Sequence, residues 1–267
     1  MPSRLFAPED PMKAVILAAG AATRLRPLTD LTPKCLLDIG GKPLLGRTFE
    51  TLQSRDIHDV ICVTGYRGDQ IVRFVGQEYP RMNVEFVENK RYADTNNIYS
   101  LWLARDLFRG HSLLLLDSDI VFDGKILDLL LDSPDADCLA VTPGTSLGFE
   151  EIKVSVDGTG EVVEVGKEID PSVAMGESIG IEKFGPAFVS DLIEELDRLV
   201  SVEGQVGIFY EAAFQKVIRR GRRPRVVSTG SLPCIEIDSP ADLQVARELV
   251  QMLSPVVQSR GGRTSPR

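Results

Sequence analysis

Two groups of residues could work together on a phosphate ester. The first lies on the segment Leu17-Ala18-Ala19-Gly20-Ala21-Ala22-Thr23-Arg24-Leu25-Arg26, which runs on to Pro33-Lys34. Small residues let backbone N–H groups approach a ligand closely, the arrangement by which a turn binds phosphate. Arg24, Arg26 and Lys34 then bring cations to the same segment. The second group is carboxylate. Leu113-Leu-Leu-Leu-Asp117-Ser118-Asp119 ends an apolar run in two acids at alternate positions, which leave a strand on one face. Ile235-Glu236-Ile237-Asp238 is a further acidic candidate late in the chain. Mg²⁺ takes one or two carboxylates together with phosphate oxygens and water, and Asp119 and Asp238 are the pair expected to hold it. Cations for a polyphosphate beside carboxylates for a metal are what transfer at phosphorus requires. Neither G-x-G-x-x-G nor G-x-x-x-x-G-K-[ST] occurs, so dehydrogenase and P-loop readings fail. His58 and His111 are the chain's two histidines, and neither lies in an H-E-x-x-H or G-x-S-x-G context.

These residues need a scaffold that delivers strand ends to one place. Short apolar runs at Lys13–Ala18, His58–Thr64, Asn83–Val87, Ser112–Leu116 and Cys138–Thr142 read as strands. Leu44–Ser54, Gly68–Gly76, Asn97–Phe108 and Gly124–Leu131 read as the helices between them. Such alternation predicts a parallel sheet with right-handed crossovers, whose ligands bind beyond the carboxyl ends of the strands. After Pro143 the pattern changes. Glu151–Val156 and Glu161–Val165 read as an antiparallel hairpin, Ser178–Lys183 and Arg225–Ser228 as strands, and Pro186–Val200, Gly207–Arg219 and Pro240–Leu253 as helices. The expected class is α/β, a mostly parallel sheet flanked by helices with a strand-rich insertion in the second half. Residues 1–11 are expected to be a loose leader and 254–267 a disordered tail. Between them one domain, 12–253, divides into halves at 12–142 and 143–253.

Composition narrows the partners. The 267 residues carry 30 Lys and Arg against 39 Asp and Glu, a formal net charge of −9, which argues against nucleic acid and anionic membranes. The apolar run at residues 14–19 is far short of a membrane span, and the protein reads as cytoplasmic. Cys35, Cys62, Cys138 and Cys234 form no C-x-x-C pair and read as free thiols in or near the core. Arg219, Arg220, Arg222, Arg223 and Arg225 read as a solvated face near a helix C-terminus.

The run Leu17-Ala-Ala-Gly-x-x-Thr-Arg-Leu-Arg-Pro-Leu-Thr, with Pro33-Lys34 and Lys42-Pro43, resembles the opening of the nucleoside-triphosphate transferase family, the sugar-phosphate and choline-phosphate nucleotidylyltransferases. The resemblance spans roughly residues 12 to 250 and is strongest before 120. It departs at Ala22, where the family usually has glycine. A positive φ there would cost about 1 kcal/mol. The resemblance implies a Rossmann-like fold of the nucleotide-diphospho-sugar transferase type. It assigns Leu17, Ala18, Ala19 and Gly20 to nucleotide contacts, Arg24 to the β- and γ-phosphates, Lys34 to the α-phosphate and the acceptor phosphate, and Asp119 and Asp238 to Mg²⁺. Tyr92-Ala-Asp-Thr-Asn-Asn-Ile-Tyr-Ser-Leu is similar to the Y-x-x-x-N-N-x-x-S-L segment of choline-phosphate and related cytidylyltransferases. Asn96, Asn97 and Ser100 would then read a pyrimidine edge, and Asp117 joins the nucleotide set. In the second half, Glu151-Ile-Lys153-Val, Gly166-Lys167-Glu168-Ile and Gly176-Glu177-Ser-Ile-Gly look like an acceptor-binding half. Lys167 would face the acceptor phosphate with help from Lys153, and Glu177 and Glu211 would meet a cationic head group. Phe209 and Tyr210 are also expected on the acceptor side; with Phe149 they are the aromatics of that region, few for a choline cage.

The implied enzyme is a Mg²⁺-dependent cytidylyltransferase that uses CTP and a small phosphocholine-like or phosphonate acceptor and releases pyrophosphate. The alternatives are a sugar 1-phosphate uridylyl- or thymidylyltransferase and a nucleotide-binding regulator without turnover. No nucleic-acid or membrane partner is expected, and a homodimer is left open.

Overall fold

The computed structural model describes residues 12–144 and 147–253, so the expected leader and tail lie outside the described residues. The first strand, β1 (Lys13–Ala18), is buried along almost its whole length. It pairs in parallel with β2 (Asp59–Thr64) on one side and with β4 (Leu113–Asp117) on the other. β3 (Asn83–Glu88) extends the sheet beyond β2, also in parallel. Helices α1 (Leu44–Gln53), α2 (Gly68–Glu78) and α3 (Asn97–Phe108) connect these strands. The chain therefore builds outward from β1 to β3 and then crosses back to start again at β4. Between the carboxyl ends of β1 and β4 lies the switch point, where an open α/β sheet offers a crevice.

Alternate residues of the central strands face two different cores, the period expected of a strand buried on both sides. Val15, Leu17, Leu113 and Leu115 pack with α3, α5 (Pro186–Leu196) and α6 (Glu211–Arg219). Ala14, Ile16, Leu114 and Leu116 pack with α1, α2 and α4 (Gly124–Asp132).

The second half departs from the simple alternation. The main path of the nine-stranded sheet is β10-β6-β9-β4-β1-β2-β3, in which β6 is Cys138–Pro143, β9 is Gly176–Phe184 and β10 is Arg225–Ser228. β6 does not join β4 directly. β9 is inserted between them and runs antiparallel to both. The cause is connectivity: β9 is reached through the hairpin β7 (Lys153–Val156) and β8 (Val162–Gly166) instead of through a helical crossover. The predicted hairpin forms, and the sheet is mostly parallel, as expected.

Two short strands escaped the sequence reading. β5 (Ile120–Phe122) and β11 (Cys234–Glu236) pair antiparallel as a separate ribbon. They rest on a third core, in which Val121 and Ile237 meet Leu25 and Ile39 from the first loop, Leu44 at the start of α1, and Leu243, Ala246 and Val250 from α7 (Pro240–Leu253). The predicted helix at Pro186 gives way after Leu196 to a wider π-type turn over Asp197–Val202, and α6 begins at Glu211, not at Gly207. No helix among the described residues is long and apolar enough to cross a membrane. All four cysteines are free thiols, three of them buried.

Candidate active site

The register pairs Leu17 with Asp117, so β1 and β4 release their following loops side by side. A cavity of about 720 Å³ opens there, with Leu17, Ala18, Ala19 and Gly20 on one edge. A Cβ built on Gly20 would meet nothing within 4 Å, so the backbone here faces open space. Ala22 adopts the left-handed conformation, φ 46° and ψ 53°, and its carbonyl accepts a hydrogen bond from Thr29 Oγ1 at 2.9 Å. A 3₁₀ turn over Thr23–Leu25 then buries Leu25 in the third core. Arg24 is thereby left 70% exposed at the side chain, with Nη2 2.5 Å from Asp238 Oδ2. Pro33 precedes a second 3₁₀ turn, Lys34–Leu36, that turns Lys34 inward.

Lys34 is the hub of the site. Its Nζ lies 2.8 Å from Asp119 Oδ2 and 3.0 Å from Asp238 Oδ1, with the side chain 13% exposed. Burial alone would depress its pKa, but the two carboxylates outweigh it and hold the ammonium above the usual lysine range. Asp119, Glu236 and Asp238 each offer an oxygen within 4.8 Å of the others. The ribbon sets this spacing. Glu236 pairs with Ile120, and Ile237 N–H donates to the Asp119 carbonyl at 2.9 Å. Asp242 closes the turn after β11, accepting from the backbone N–H groups of Asp238 (3.1 Å) and Ser239 (2.7 Å). An all-oxygen, all-carboxylate set suits a hard divalent cation such as Mg²⁺. Burial, with Asp119 and Asp238 adding, pushes Glu236 up to about 7, which is what crowded carboxylates do before a cation joins them. Glu236 is a candidate ligand that the sequence expectation of an Asp119–Asp238 pair left out. Its signal was its place two residues before Asp238, in the acidic run Ile235-Glu236-Ile237-Asp238.

A second edge of the cavity comes from the start of α3. Asn96, Asn97 and Ser100 all line it, and each also serves the fold. Asn96 caps α3 by accepting from Asn97 N–H. Asn97 Oδ1 accepts from Tyr210 N–H at 2.9 Å, and Ser100 Oγ accepts from Asn89 Nδ2 at 3.0 Å. Asn89 and Tyr92 are lining residues that the sequence reading did not single out as a site. Asp117 sits on the cavity floor, where Tyr210 Oη donates to Oδ2 at 3.0 Å. Burial raises its carboxyl well above the usual range, and Asp119, Glu182 and Glu211 reinforce the shift.

The third edge belongs to the second half of the chain. Lys167, Glu177, Phe209 and Glu211 line it, as do Glu150 and Glu151. Lys167 Nζ lies 3.1 Å from Glu150 Oε2 and 4.5 Å from the centroid of the Phe209 ring. Burial pushes Glu211 up to about 7, and burial with Glu151 nearby raises Glu177. Two expected acceptor contacts are corrected. Lys153 is fully buried and donates to the carbonyls of Gly148 (2.9 Å) and Glu151 (3.1 Å), so it braces the segment carrying Glu150 and does not reach the cavity. Tyr210 is also fully buried, packed on Phe214 at 5.1 Å and turned down to Asp117.

Other candidates resolve as structure. Gly176-Glu177-Ser178-Ile179-Gly180 has a G-x-S-x-G spacing, but it lies inside β9 and not on a strand-to-helix elbow. Ser178 Oγ donates to Glu182 at 3.2 Å, and neither His58 nor His111 lines the cavity. In the arginine cluster, Arg220 pairs with Glu194 and Glu195, Arg222 with Asp191 and Arg225 with Glu161.

Residues 13–139 match the nucleotidyl transferase family. The CMP-5'-(3-aminopropyl)phosphonate synthase of Streptomyces rubellomurinus is 29% identical over 260 residues, covering 91% of this chain and 40% of that protein. The choline-phosphate cytidylyltransferase of Streptococcus pneumoniae is 44% identical over 95 residues, 36% of this chain and 40% of that protein. Each alignment thus spans about 40% of its relative's length. The solved structure of the CTP:phosphocholine cytidylyltransferase from Streptococcus pneumoniae superposes with a TM-score of 0.73 at 24% identity, over 90% of this chain and 99% of that one, a likeness of fold.

Proposed function

We propose that this chain, whose residues 13–139 match the nucleotidyl transferase family, is a cytoplasmic, Mg²⁺-dependent cytidylyltransferase that moves CMP from CTP to a small phosphate or phosphonate acceptor and releases pyrophosphate. The observation that carries this reading is the single cavity shared by the β1 loop, the Asp119–Glu236–Asp238 cluster and the Lys167 wall, because transfer needs donor and acceptor in one place. The acceptor's anionic oxygen attacks the α-phosphorus of CTP. A new P–O bond forms there while the bond to the β-phosphate bridge breaks, and pyrophosphate leaves with the electron pair. The nucleophile is already an anion, so no covalent enzyme intermediate is needed. Ser178, whose hydroxyl donates to buried Glu182, is not required as one.

The protein's part is positioning and charge. Arg24, exposed and long, reaches the β- and γ-phosphates, while the more fixed Lys34 meets the α-phosphate. Leu17, Ala18, Ala19 and Gly20 bring backbone to the nucleotide, and Asn96, Asn97 and Ser100 read the pyrimidine. Asp119, Glu236 and Asp238 would hold Mg²⁺, which when bound supplies countercharge to the triphosphate. Lys167 exchanges Glu150 for the acceptor's anionic group.

Pyrophosphate release measured with CTP, UTP, dTTP and ATP, each against phosphonate, phosphocholine and hexose 1-phosphate acceptors, tests the reading. CTP with a phosphonate or phosphocholine-like acceptor is the expected active combination. Preference for UTP or dTTP with a hexose 1-phosphate would overturn it.

A further inference from the structure

On the α3 edge of the cavity, three polar side chains have their hydrogen-bond direction set by partners that cannot reverse it. A backbone N–H only donates. Asn97 Oδ1 accepts from Tyr210 N–H at 2.9 Å and Asn96 Oδ1 from Asn97 N–H at 2.7 Å, so the remaining polar atom of each amide is Nδ2, a donor. Ser100 is set at one remove. Asn89 Oδ1 accepts from Arg91 N–H at 2.9 Å, which fixes the orientation of that amide and leaves Nδ2 to donate to Thr95 Oγ1 at 3.1 Å and Ser100 Oγ at 3.0 Å. Thr95 sends its own proton to the Arg91 carbonyl at 2.7 Å. The Ser100 proton cannot return to Asn89, and it is donated to no other group among the described residues. Ser100 is 3% exposed and lines the cavity, so a bound ligand is what can accept that proton.

Resting on the transferase reading above, we infer that Asn89 is a positioning residue that sets the base preference: by holding Ser100 as a donor, it makes this hydroxyl read the unprotonated N3 of cytosine. Cytosine presents acceptors at both O2 and N3, which an edge made of donors can meet. Uracil carries a proton on N3. Facing that proton, the Ser100 donor would be stranded at a buried point, and a site built to hydrogen-bond one ligand strongly rejects the analogue that leaves its groups unpaired. Asn89 is 1% exposed and acts through Ser100.

Calorimetric binding of CTP, UTP and 3-deaza-CTP to the full chain with Mg²⁺ tests this, with pyrophosphate release measured alongside on 2-aminoethylphosphonate, phosphocholine and hexose 1-phosphate. 3-Deaza-CTP keeps the shape of CTP and has C–H in place of N3. The wild type should bind CTP at least about 100-fold more tightly than UTP and at least about 10-fold more tightly than 3-deaza-CTP. Asn89→Asp keeps the shape and the Arg91 contact but turns the donor into an acceptor, which draws the Ser100 proton away from the base. The CTP-to-UTP ratio should then shrink by about 10-fold or more. Ser100→Ala places a good helix former in α3, removes the hydroxyl and should bind CTP and 3-deaza-CTP alike, a check that stands even where the Asn89 variant does not fold. Equal wild-type binding of CTP and 3-deaza-CTP, or a loss of CTP and UTP together with their ratio unmoved, overturns the role of Asn89 and leaves the transferase reading standing. The expected shifts in binding without pyrophosphate release from any nucleotide overturn the transferase reading and keep the role of Asn89. Wild-type preference for UTP overturns both the role of Asn89 and the choice of CTP.

Discussion

Ala22 shows how a single departure from a familiar pattern can be kept at small cost. Its φ of 46° is where an L-residue is strained, and the loop retains it because Thr29 and the buried Leu25 fix both sides of the turn. Glycine would relieve that strain but lose more entropy on folding, so Ala22→Gly should stabilise by a net of about 0.5 kcal/mol, a Tm rise of about 1–2 °C in calorimetry. Asp119 has the opposite character. Asp119→Ala removes one of the clustered metal-side oxygens and one of the two anchors of Lys34, so Mg²⁺-supported pyrophosphate release should fall by at least about 1,000-fold; a variant of unchanged rate would remove Asp119 from the site. Glu211 predicts a pH effect. Its carboxyl rises from 4.5 to about 7 on folding, so between those values the native state binds the extra proton and the unfolded state does not. Stability of the ligand-free protein should therefore fall as pH rises from about 4.5 to about 7 and level off above, by about 3 kcal/mol for this group. Urea unfolding at pH 5 and pH 8 should show a loss smaller by about 2–3 kcal/mol in Glu211→Gln than in the wild type, the remainder belonging to other raised carboxyls such as Glu236. Arg24, Lys34, Asp119 and Asp238, singled out by residue type and by the resemblance, are brought together at one cavity. Lys153 and Tyr210 were misread because a sequence gives the residue but not the direction of its side chain, which β7 and the floor beneath Asp117 decide.

At the scale of elements, the β5–β11 ribbon is the part that sequence patterns could least reveal. Each strand is three residues long, too short for a period, and each exists because the other pairs with it. The same holds for the start of α6, delayed to Glu211 because Tyr210 N–H is held by Asn97, 113 residues earlier. The long central strands needed no such partner to be seen; their apolar runs and flanking turns sufficed. The ribbon matters because Ile237, 1% exposed in the third core, has Glu236 and Asp238 as chain neighbours. Ile237→Ala should destabilise by about 3 kcal/mol in urea unfolding. It should also raise the Mg²⁺ concentration for half-maximal turnover by roughly 10-fold, as loss of support behind metal ligands does. A stability loss with unchanged Mg²⁺ dependence would separate the third core from the carboxylate cluster.

For the molecule as a whole, the charge of −9 coexists with cations gathered at one crevice, while the arginines that end α6 are largely spent on Asp191, Glu194, Glu195 and Glu161. The chain should accordingly show no retention of duplex DNA in a filter assay at about 150 mM salt, since non-specific binding rests on unspent Lys and Arg. Strand and helix alternation made the switch point foreseeable, but the antiparallel β9 between β4 and β6 depended on a connection whose path no local pattern encodes. Lys34 and Asp238 touch across 204 residues, and Arg24 and Asp238 across 214. Synthesis runs from the N-terminus, so a growing chain displays the loop after β1 long before the last carboxylate of the cluster is made. On the proposed function, activity therefore arrives at the end of translation: a fragment released before β11 would carry the β1 loop and most of the sheet but neither Glu236 nor Asp238, and should release no pyrophosphate.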